Sequence, residues 1–517
     1  VYQATMMDIV AGADVVWLWH ADGTAPIDAD GTSVSHGDFT TRGSYYAAGP
    51  SLARLDQLNW SIIAPSWDSL RVYVFDKQGN VRSGWPFPTA DPVWSGVAVG
   101  DLNNDDSNEL VFASNGTRFY VLRANGTEWM DGDSNPATLG VFKVLGTPYN
   151  YGTPALADLD NNGQLDIIYA AFDGKLYAWR PDGSNLPNFP VNIGAGTTSS
   201  VAVGYLDGPG DTQLDIVVTS ANDSLYVFKA DGGRHAGFPV GIRFQGTNKN
   251  PSPALADMNA DGFVDVVAAS TDGKIYVYDH NGTPNPSFIS ARYSALTDGY
   301  ASESSPVVAD INGDGLPDVV MGDENGILNG ISGNGQLLPG FPIQLGGEVR
   351  GTPAVCDCDG DGKSEIVVSS WDQNTYVWDY DFAFSPAGTP PWPQFHHDAR
   401  RSGLATAPAF VDAPSPELPP APLSVELAPP VPNPAHTTTR LAWAVPVERA
   451  GADLDLSVYD LAGRRIVRLA SGKAQPGRFA VDWDLRSAGG TRMGSGIYFL
   501  RFHLGPFTES RKLVVMP

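Results

Sequence analysis

One strand–turn–strand phrase recurs along most of this 517-residue chain. Each copy has a short apolar strand, a turn, and an apolar–aromatic strand followed by Asp-Gly or Asn-Gly, which are typical hairpin-turn dipeptides. A four-stranded unit repeated at about 40–50 residues is typical of a β-propeller blade. The sequence therefore predicts an all-β propeller of eight blades, with seven as the alternative. The copies lie 47 to 57 residues apart and begin at Asp8, Ser61, Glu109, Asp166, Asp215, Asp265, Asp318 and Glu365.

The two ends of the repeat region suggest how the ring closes. The first unit begins at Val1, shortly before its phrase at Asp8, and lacks a first strand. The eighth unit has its first three strands. Propellers often let the far end of the chain complete the first blade. We therefore expect residues 391–405 to pair with residues 1–11.

Composition supports this fold and excludes two classes of partner. The 57 glycines and 41 prolines suit short strands joined by turns. The net charge is −26, and residues 1–424 alone carry −30. Because nucleic acids and anionic membranes attract basic patches, we expect neither as a partner, whereas cation binding is compatible with this charge. No apolar run of about 18 residues is present, so we expect no membrane span.

Acidic loops between strands one and two carry the clearest chemistry. Ca²⁺ takes six to eight oxygen ligands, and side chains at loop positions 1, 3 and 5 converge when the loop curls. A glycine at position 6 permits the sharp turn, position 7 offers its backbone carbonyl, and an acid at position 9 completes the shell. The pattern predicts five structural Ca²⁺ sites. Their ligands are Asp101, Asn103, Asp105, Ser107 and Glu109; Asp158, Asp160, Asn162, Gln164 and Asp166; Asp257, Asn259, Asp261, Phe263 and Asp265; Asp310, Asn312, Asp314, Leu316 and Asp318; Asp357, Asp359, Asp361, Lys363 and Glu365.

Some copies depart from this pattern. The third has Asp106 in place of the glycine, and Asp tolerates positive φ better than most residues. The fifth, 207–215, has an insertion and lacks the first acid, and the second, 54–59, has lost the pattern. We expect weak or no calcium binding in the fifth and second copies. Cys356 and Cys358 align with apolar residues of other copies and are expected to be small core residues; a Cys-Asp-Cys metal or redox site is the alternative.

Residues 1–406 resemble the FG-GAP/VCBS-type calcium-binding β-propeller repeat, which also occurs in integrin α-subunit heads. The specific part of the resemblance is the Asp-x-Asp/Asn-x-Asp/Asn-Gly-x-x-Asp loop. The resemblance implies that calcium lies in the loop joining strands one and two, on the face opposite the usual ligand-binding face. It also implies that the metal is structural.

The remainder of the chain predicts a second domain. Residues 407–424 form a Pro-rich, semi-rigid linker. Residues 425–517 alternate apolar and polar positions in several short runs, a small β-sandwich pattern. The stretches 431–434, 458–464, 494–499 and 511–515 resemble the FlgD-type immunoglobulin-like C-terminal domain. Such domains end many secreted bacterial proteins and often act as type IX secretion sorting or surface-attachment signals, which implies a secreted or cell-surface location.

A set of aromatic and basic residues is predicted on the face opposite the calcium loops, where exposed rings beside polar groups suit carbohydrate or protein contacts. Ordinary blade packing is the alternative explanation for these residues. The candidate ligand-binding residues are Trp67, Trp94, Tyr149, Tyr151, Phe172, Arg292, Tyr293, Tyr300, Arg350 and Trp371.

The leading functional hypothesis is a secreted or cell-surface, calcium-stabilised, non-catalytic binding or adhesion protein with an extracellular protein or carbohydrate ligand. No Gly-x-Ser-x-Gly, His-Glu-x-x-His or phosphate-binding loop is present. The run His396-His397-Asp398 is favoured as part of the closing segment over a catalytic role. The alternatives are a polysaccharide-degrading enzyme with a lyase-like propeller, and a self-assembling subunit of an extracellular structure.

Overall fold

The chain divides into two units, Val1–Ala409 and Phe410–Pro517. The computed structural model describes residues 8–12, 16–20, 39, 49–55, 60–136, 138–208, 210–244, 250–288, 291–294, 303–359, 363–383, 392–405, 425–427, 430, 433–436, 438–446, 449, 451–474 and 477–516. The predicted linker 407–424 lies outside these residues. Within them, no helix is long and apolar enough to cross a membrane.

The described part of the first unit forms eight antiparallel sheets that follow one another along the chain. Five of them have four strands in meander order, as the repeat predicts. The strands are β1 (Asp8–Gly12) and β2 (Val16–His20); β3 (Ser51–Arg54), β4 (Trp60–Ser66), β5 (Arg71–Phe75) and β6 (Phe87–Pro88); β7 (Ala98–Gly100), β8 (Glu109–Ala113), β9 (Arg118–Leu122) and β10 (Val141–Val144); β11 (Ala155–Ala157), β12 (Asp166–Ala170), β13 (Lys175–Trp179) and β14 (Val191–Asn192); β15 (Ala202–Gly204), β16 (Asp215–Ser220), β17 (Ser224–Lys229) and β18 (Val240–Gly241); β19 (Ala254–Ala256), β20 (Asp265–Ala269) and β21 (Ile275–Tyr278); β22 (Val307–Ala309), β23 (Asp318–Gly322), β24 (Ile327–Ile331) and β25 (Ile343–Gln344); β26 (Ala354–Cys356), β27 (Lys363–Ser370) and β28 (Asn374–Ala383).

The hairpins follow from their turn residues. Strands β12 and β13 pair up to Ala170 opposite Leu176. Between them Gly174 adopts a φ of 79°, a conformation that glycine reaches without strain. The fourth strands were not located from the sequence. Four of them are only two residues long and start directly after an aromatic–proline step: β6, β14, β18 and β25 follow Trp85-Pro86, Phe189-Pro190, Phe238-Pro239 and Phe341-Pro342.

The apolar core lies between the faces of successive sheets. Val16 of the first sheet packs in one cluster with Ile62 and Tyr73 of the second. Ile168 of the fourth sheet shares a cluster with Ile216 of the fifth. The innermost strands β3, β7, β11, β15, β19, β22 and β26 contact one another in that order. Sheets stacked face to face with adjacent inner strands make the first unit a β-propeller.

Hydroxyl side chains join six neighbouring sheets just before their innermost strands. In each case a backbone N–H of one sheet donates to a hydroxyl of the next, at 2.9 to 3.0 Å. The donor residues are buried, so each bond gives a buried backbone N–H its partner. We call this series, which starts from the N–H of Gly96, the hydroxyl belt; its side chains are Thr153, Ser200, Ser252, Ser305 and Thr352.

The closing prediction was wrong for the described residues. Residues 392–405, the inner segment, cross the inner edges of the sheets, and β1 pairs with β2. One backbone N–H from the middle of each of six innermost strands donates to the inner segment. An inner edge carries unpaired backbone groups, and a crossing chain gives each sheet a partner. The donors are Val308, Val355, Leu52, Val99, Leu156 and Val203, and their acceptors are Trp392, Pro393, Ala399, Arg400, Ser402 and Gly403.

The second unit consists of two antiparallel sheets with a shared core. One sheet has the order β29-β30-β33 and the other β32-β31-β34-β35. The ring of Trp443 lies 6.2 Å from that of Phe502 across the core, so this unit is a β-sandwich. Its strands are β29 (Glu426–Leu427), β30 (Thr439–Val445), β31 (Asp453–Tyr459), β32 (Arg465–Lys473), β33 (Gly477–Trp483), β34 (Gly496–Leu504) and β35 (Phe507–Val515).

Candidate functional site

The acidic loops share one backbone geometry. In the loop 158–166, Asp158 accepts hydrogen bonds from the N–H groups of Asn162 at 2.9 Å and Gly163 at 2.7 Å. The first acid of the loops at 101, 257 and 310 accepts the position-6 N–H in the same way. Asp106, which stands in place of the glycine, adopts a φ of 68° and keeps the turn. The first carboxylate therefore holds each of these four loops curled.

The middle of each loop is also fixed by its own side chains. The position-5 oxygen accepts the position-7 N–H at 2.8 to 2.9 Å in the loops at 101, 158, 257 and 310. In three of these loops the position-3 asparagine donates its amide to the position-5 carboxylate at 2.9 to 3.0 Å. The amide group of the asparagine and the carboxylate of the aspartate thus lie side by side. Those pairs are Asn103 with Asp105, Asn259 with Asp261, and Asn312 with Asp314.

The closing acid of each loop is buried at the start of the second strand. One of its oxygens accepts the position-2 N–H, at 3.0 Å from Leu102 to Glu109 and from Leu159 to Asp166. The same bond recurs from Met258, Ile311 and Cys358 to Asp265, Asp318 and Glu365.

The second oxygen of three closing acids is buried without a hydrogen-bond partner. These atoms are Oδ1 of Asp166, Oδ1 of Asp265 and Oε1 of Glu365. Burial raises the pKa of Asp166 to about 7 and that of Asp265 to about 8, because a buried carboxylate loses its hydration. A buried acid without a partner is costly unless a cation neutralises it.

The donor set fits a hard cation. One carboxylate oxygen each of Asp158, Asp160 and Asp166 lies within 4.8 Å of the others. Corresponding atoms of Asp357, Asp359 and Glu365 are equally close. All of these atoms are oxygens, which suit Ca²⁺ better than a transition metal.

The loop at 357 differs in two respects. Residues 360–362, and with them the predicted ligand Asp361, lie outside the described residues. Cys356 and Cys358 were expected as separate core residues, but they form a disulfide that brackets Asp357. Cys358 is buried, as expected, whereas Cys356 is half-buried. Lys363, predicted to offer its backbone oxygen, begins β27 and pairs with Asp379 at 3.7 Å.

Five predicted aromatic residues form one continuous series of rings, which we call the aromatic strip. Its centroid distances are 6.3 Å from Trp67 to Trp94, 5.2 Å from Trp94 to Tyr151, 6.4 Å from Tyr151 to Tyr149, and 5.6 Å from Tyr149 to Phe172. Trp67, Trp94 and Tyr149 are 41%, 40% and 51% exposed. The strip crosses the second, third and fourth sheets, along strand two–three turns and strand four–one connections.

The other candidates do not join this strip. Tyr293 was predicted to be a ligand-binding residue, but it is buried and its hydroxyl donates to the Ser270 carbonyl at 2.8 Å. Arg292 donates to the Ser294 carbonyl at 3.1 Å. Tyr300 lies outside the described residues.

Arg350 and Trp371 form a separate pair. The guanidinium lies 4.4 Å from the centre of the indole ring, which is a cation–π contact. Arg350 also lies 2.7 Å from Glu348, 3.7 Å from Glu303 and 4.0 Å from Glu324. The arginine is thus held by three carboxylates of this chain.

Sequence reasoning missed the basic residues beside the loops. Arg180 follows β13 and its Nη2 lies 2.8 Å from Oδ2 of Asp160. Lys229 ends β17 and contacts Asp207 and Asp215 of the fifth loop. Both follow the last aromatic residue of a third strand, so their position in the repeat was the available signal.

Comparison with known proteins supports the fold. A family model described as an FG-GAP-like repeat matches residues 257–321, which contain two of the acidic loops. No curated protein matches the sequence.

Solved structures with similar folds include three proteins. They are the V. cholerae biofilm matrix protein Bap1 (13% identity, TM-score 0.48, 78% of this chain and 89% of that chain), the Dos1 propeller (14%, 0.42, 71% and 85%) and BBS1N in complex with ARL6DN (10%, 0.40, 64% and 91%). The FG-GAP-like match and the stacked sheets together support a β-propeller repeat protein.

Proposed function

We propose that this protein is a secreted or cell-surface, non-catalytic binding protein whose eight-bladed propeller is stabilised by calcium and whose ligand binds the aromatic strip. The observation that carries the proposal is the unbroken series of five rings from Trp67 to Phe172. Three of these rings are exposed and two are half-buried, so contiguous aromatic surface faces water across three sheets. Such a surface is typical of a binding site.

A carbohydrate is the ligand class that suits this strip best. Tryptophan and tyrosine offer flat apolar faces with polar edges, which match the C–H faces and hydroxyl groups of sugars. A polymer could contact several rings in a row. The net charge of −26 opposes an anionic chain and favours a neutral glycan. An extracellular protein ligand and self-assembly are the alternatives.

Calcium in the acidic loops would fasten connections that have little core beneath them. The ion would be held by the side chains at positions 1, 3, 5 and 9, and it would neutralise the buried closing acid. Extracellular modules bind Ca²⁺ at about 10⁻⁴–10⁻³ M, a level that cytosol does not reach. A calcium-dependent propeller therefore suits an extracellular location.

The non-catalytic proposal rests on the environment of His396. This residue belongs to the run His396-His397-Asp398, the catalytic candidate that the sequence offered. Its side chain is 1% exposed. Nδ1 lies 2.8 Å from the carbonyl oxygen of Arg401, and Nε2 lies 2.9 Å from that of Val201. Both ring nitrogens thus contact the backbone of the propeller, a structural arrangement.

We propose that the C-terminal sandwich is an immunoglobulin-like sorting or attachment domain of the FlgD type.

The test is a binding panel of neutral and acidic polysaccharides, with the wild-type protein, Trp94→Ala, and Trp60→Ala as the control. Trp60 is also exposed but is stacked with Arg54 away from the strip. We expect a neutral polysaccharide to bind without product formation, and Trp94→Ala alone to weaken it at least tenfold. Release of unsaturated or reducing-end products would favour the enzyme hypothesis. Binding that both variants leave unchanged would contradict the proposal.

A further inference from the structure

The fifth acidic loop retains the closing acid but lacks the first one. Asp215 is fully buried at the start of β16, and its Oδ2 accepts the Leu206 N–H at 3.2 Å, as in the other loops. Position 1 is Tyr205. The backbone frame of a cation loop is therefore present without the complete set of carboxylates.

A lysine occupies the middle of this loop. Lys229 is the cross-strand partner of Asp215, and its Nζ lies 3.1 Å from Oδ1 of that acid. Nζ also contacts Oδ2 of Asp207, and Nε2 of His235 lies 2.9 Å from Oδ1 of Asp207. Oδ1 of Asp215, like Oδ1 of Asp166 and of Asp265, is buried without a hydrogen bond, but in Asp215 it has this ion-pair contact with Lys229.

Neighbouring loops show that this contact is particular to the fifth. Arg180 occupies the equivalent position in the fourth sheet, but its ion pair is with Asp160 and not with the closing acid Asp166. The equivalent residues in the sixth and eighth sheets are the acids Asp279 and Asp379. Only a flexible ammonium stem placed opposite the closing acid reaches both carboxylates.

We propose that Lys229 is the resident cation of the fifth loop, and that it replaces calcium there. A buried carboxylate requires a paired positive charge, and Lys229 supplies one that cannot dissociate from the chain. The same ammonium repels a second cation from Asp207 and Asp215. The fifth blade is therefore held closed in chelator as well as in calcium.

A calcium count tests the metal side of the proposal. Bound calcium is measured by atomic emission after equilibrium dialysis of wild-type protein, Asp215→Asn and Asp166→Asn. We expect Asp166→Asn to lose one ion per chain and Asp215→Asn to lose none. Loss of an ion from Asp215→Asn would overturn the proposal.

A double-mutant cycle tests the lysine side without reference to calcium. Lys229→Met should lower Tm by several degrees, and by the same amount in calcium and in EDTA, because it leaves the buried Asp215 carboxylate without its paired positive charge. Adding Asp215→Asn should restore most of the loss, and this pair keeps the test valid if the single variant folds poorly. Lys175→Met, at an exposed lysine 4.0 Å from Asp173, is the control and should change little. An unchanged Tm for Lys229→Met, or a loss that Asp215→Asn does not recover, would contradict the proposal.

Discussion

The backbone N–H of Thr153 donates to Oγ of Ser200 at 2.9 Å, and so joins the fourth sheet to the fifth. The same bond recurs at equivalent positions through the rest of the hydroxyl belt. The belt begins at the N–H of Gly96, where a Cβ would lie 2.5 Å from Oγ1 of Thr153 and 2.8 Å from Nη1 of Arg401. Gly96 therefore lies close to both the first belt hydroxyl and the inner-segment arginine, which leave no room for a side chain there.

Removal of one belt hydroxyl should weaken the propeller. Ser252→Ala leaves the buried N–H of Ser200 without its acceptor, a loss of about 1–3 kcal/mol in the free energy of unfolding. Ser252→Thr keeps a hydroxyl, as Thr153 and Thr352 do, and should retain most of the stability. Chemical denaturation of both variants measures the difference. Equal stability of the alanine and threonine variants would show that the hydroxyl is not needed.

The inner segment should make the stability of the protein depend on pH. Burial lowers the pKa of His396 to about 4, below the value of about 6.5 expected in the unfolded chain. Between these values the unfolded state binds more protons, so stability falls as the pH drops from about 6.5 to about 4, by up to about 3 kcal/mol.

Substitution of the histidine separates this effect from other titrations. His396→Gln removes the titrating group and should flatten the pH dependence of unfolding in that window, whatever its stability at pH 7. The measurement is urea denaturation from pH 7 to pH 4.5 in saturating calcium. Parallel pH profiles for the two proteins would rule out His396 as the source.

Local patterns predicted much of the structure, whereas single long-range bonds were not predictable. Hairpins such as β12–β13 and the curled loop 158–166 depend on residues a few positions apart, so their signals lie side by side in the sequence. The inner segment has no periodicity, and His396 reaches a carbonyl 195 residues earlier. The position of Lys229 in the repeat was visible in the sequence, but its contact with Asp215 depends on the register between β16 and β17.

Substitution of the closing acid Asp265 should have opposite effects on thermal stability with and without calcium. With the ion bound, Asp265→Asn loses a ligand, so the calcium count should fall by one and Tm should drop. In EDTA the wild-type carboxyl is buried, with a pKa raised to about 8 against 3.8 for a solvated carboxyl. At pH 7 that shift costs on the order of 4 kcal/mol, which the neutral asparagine avoids in part.

We therefore expect Asp265→Asn to be less stable than wild type in calcium and more stable in EDTA. The readouts are thermal unfolding in both buffers and the calcium count. Asp182→Asn, at an exposed hairpin turn, should behave as wild type in both. Equal effects of Asp265→Asn with and without calcium would argue against a metal at this loop.

The predicted ligand-binding residues should separate into two groups. Trp94 lies in the middle of the aromatic strip, with rings on both sides at 6.3 and 5.2 Å. Trp371 is more exposed, at 63%, but one of its faces lies against Arg350. Exposure alone would favour Trp371 as the ligand contact, whereas continuity with other rings favours Trp94.

Because stacked contacts along a polymer add up, loss of the central ring should weaken binding at least tenfold, or about 1.4 kcal/mol. We expect Trp371→Ala to change the affinity less than twofold when both variants are titrated with the same neutral polysaccharide by calorimetry. A larger effect at Trp371 than at Trp94 would move the binding site to the Arg350 pair.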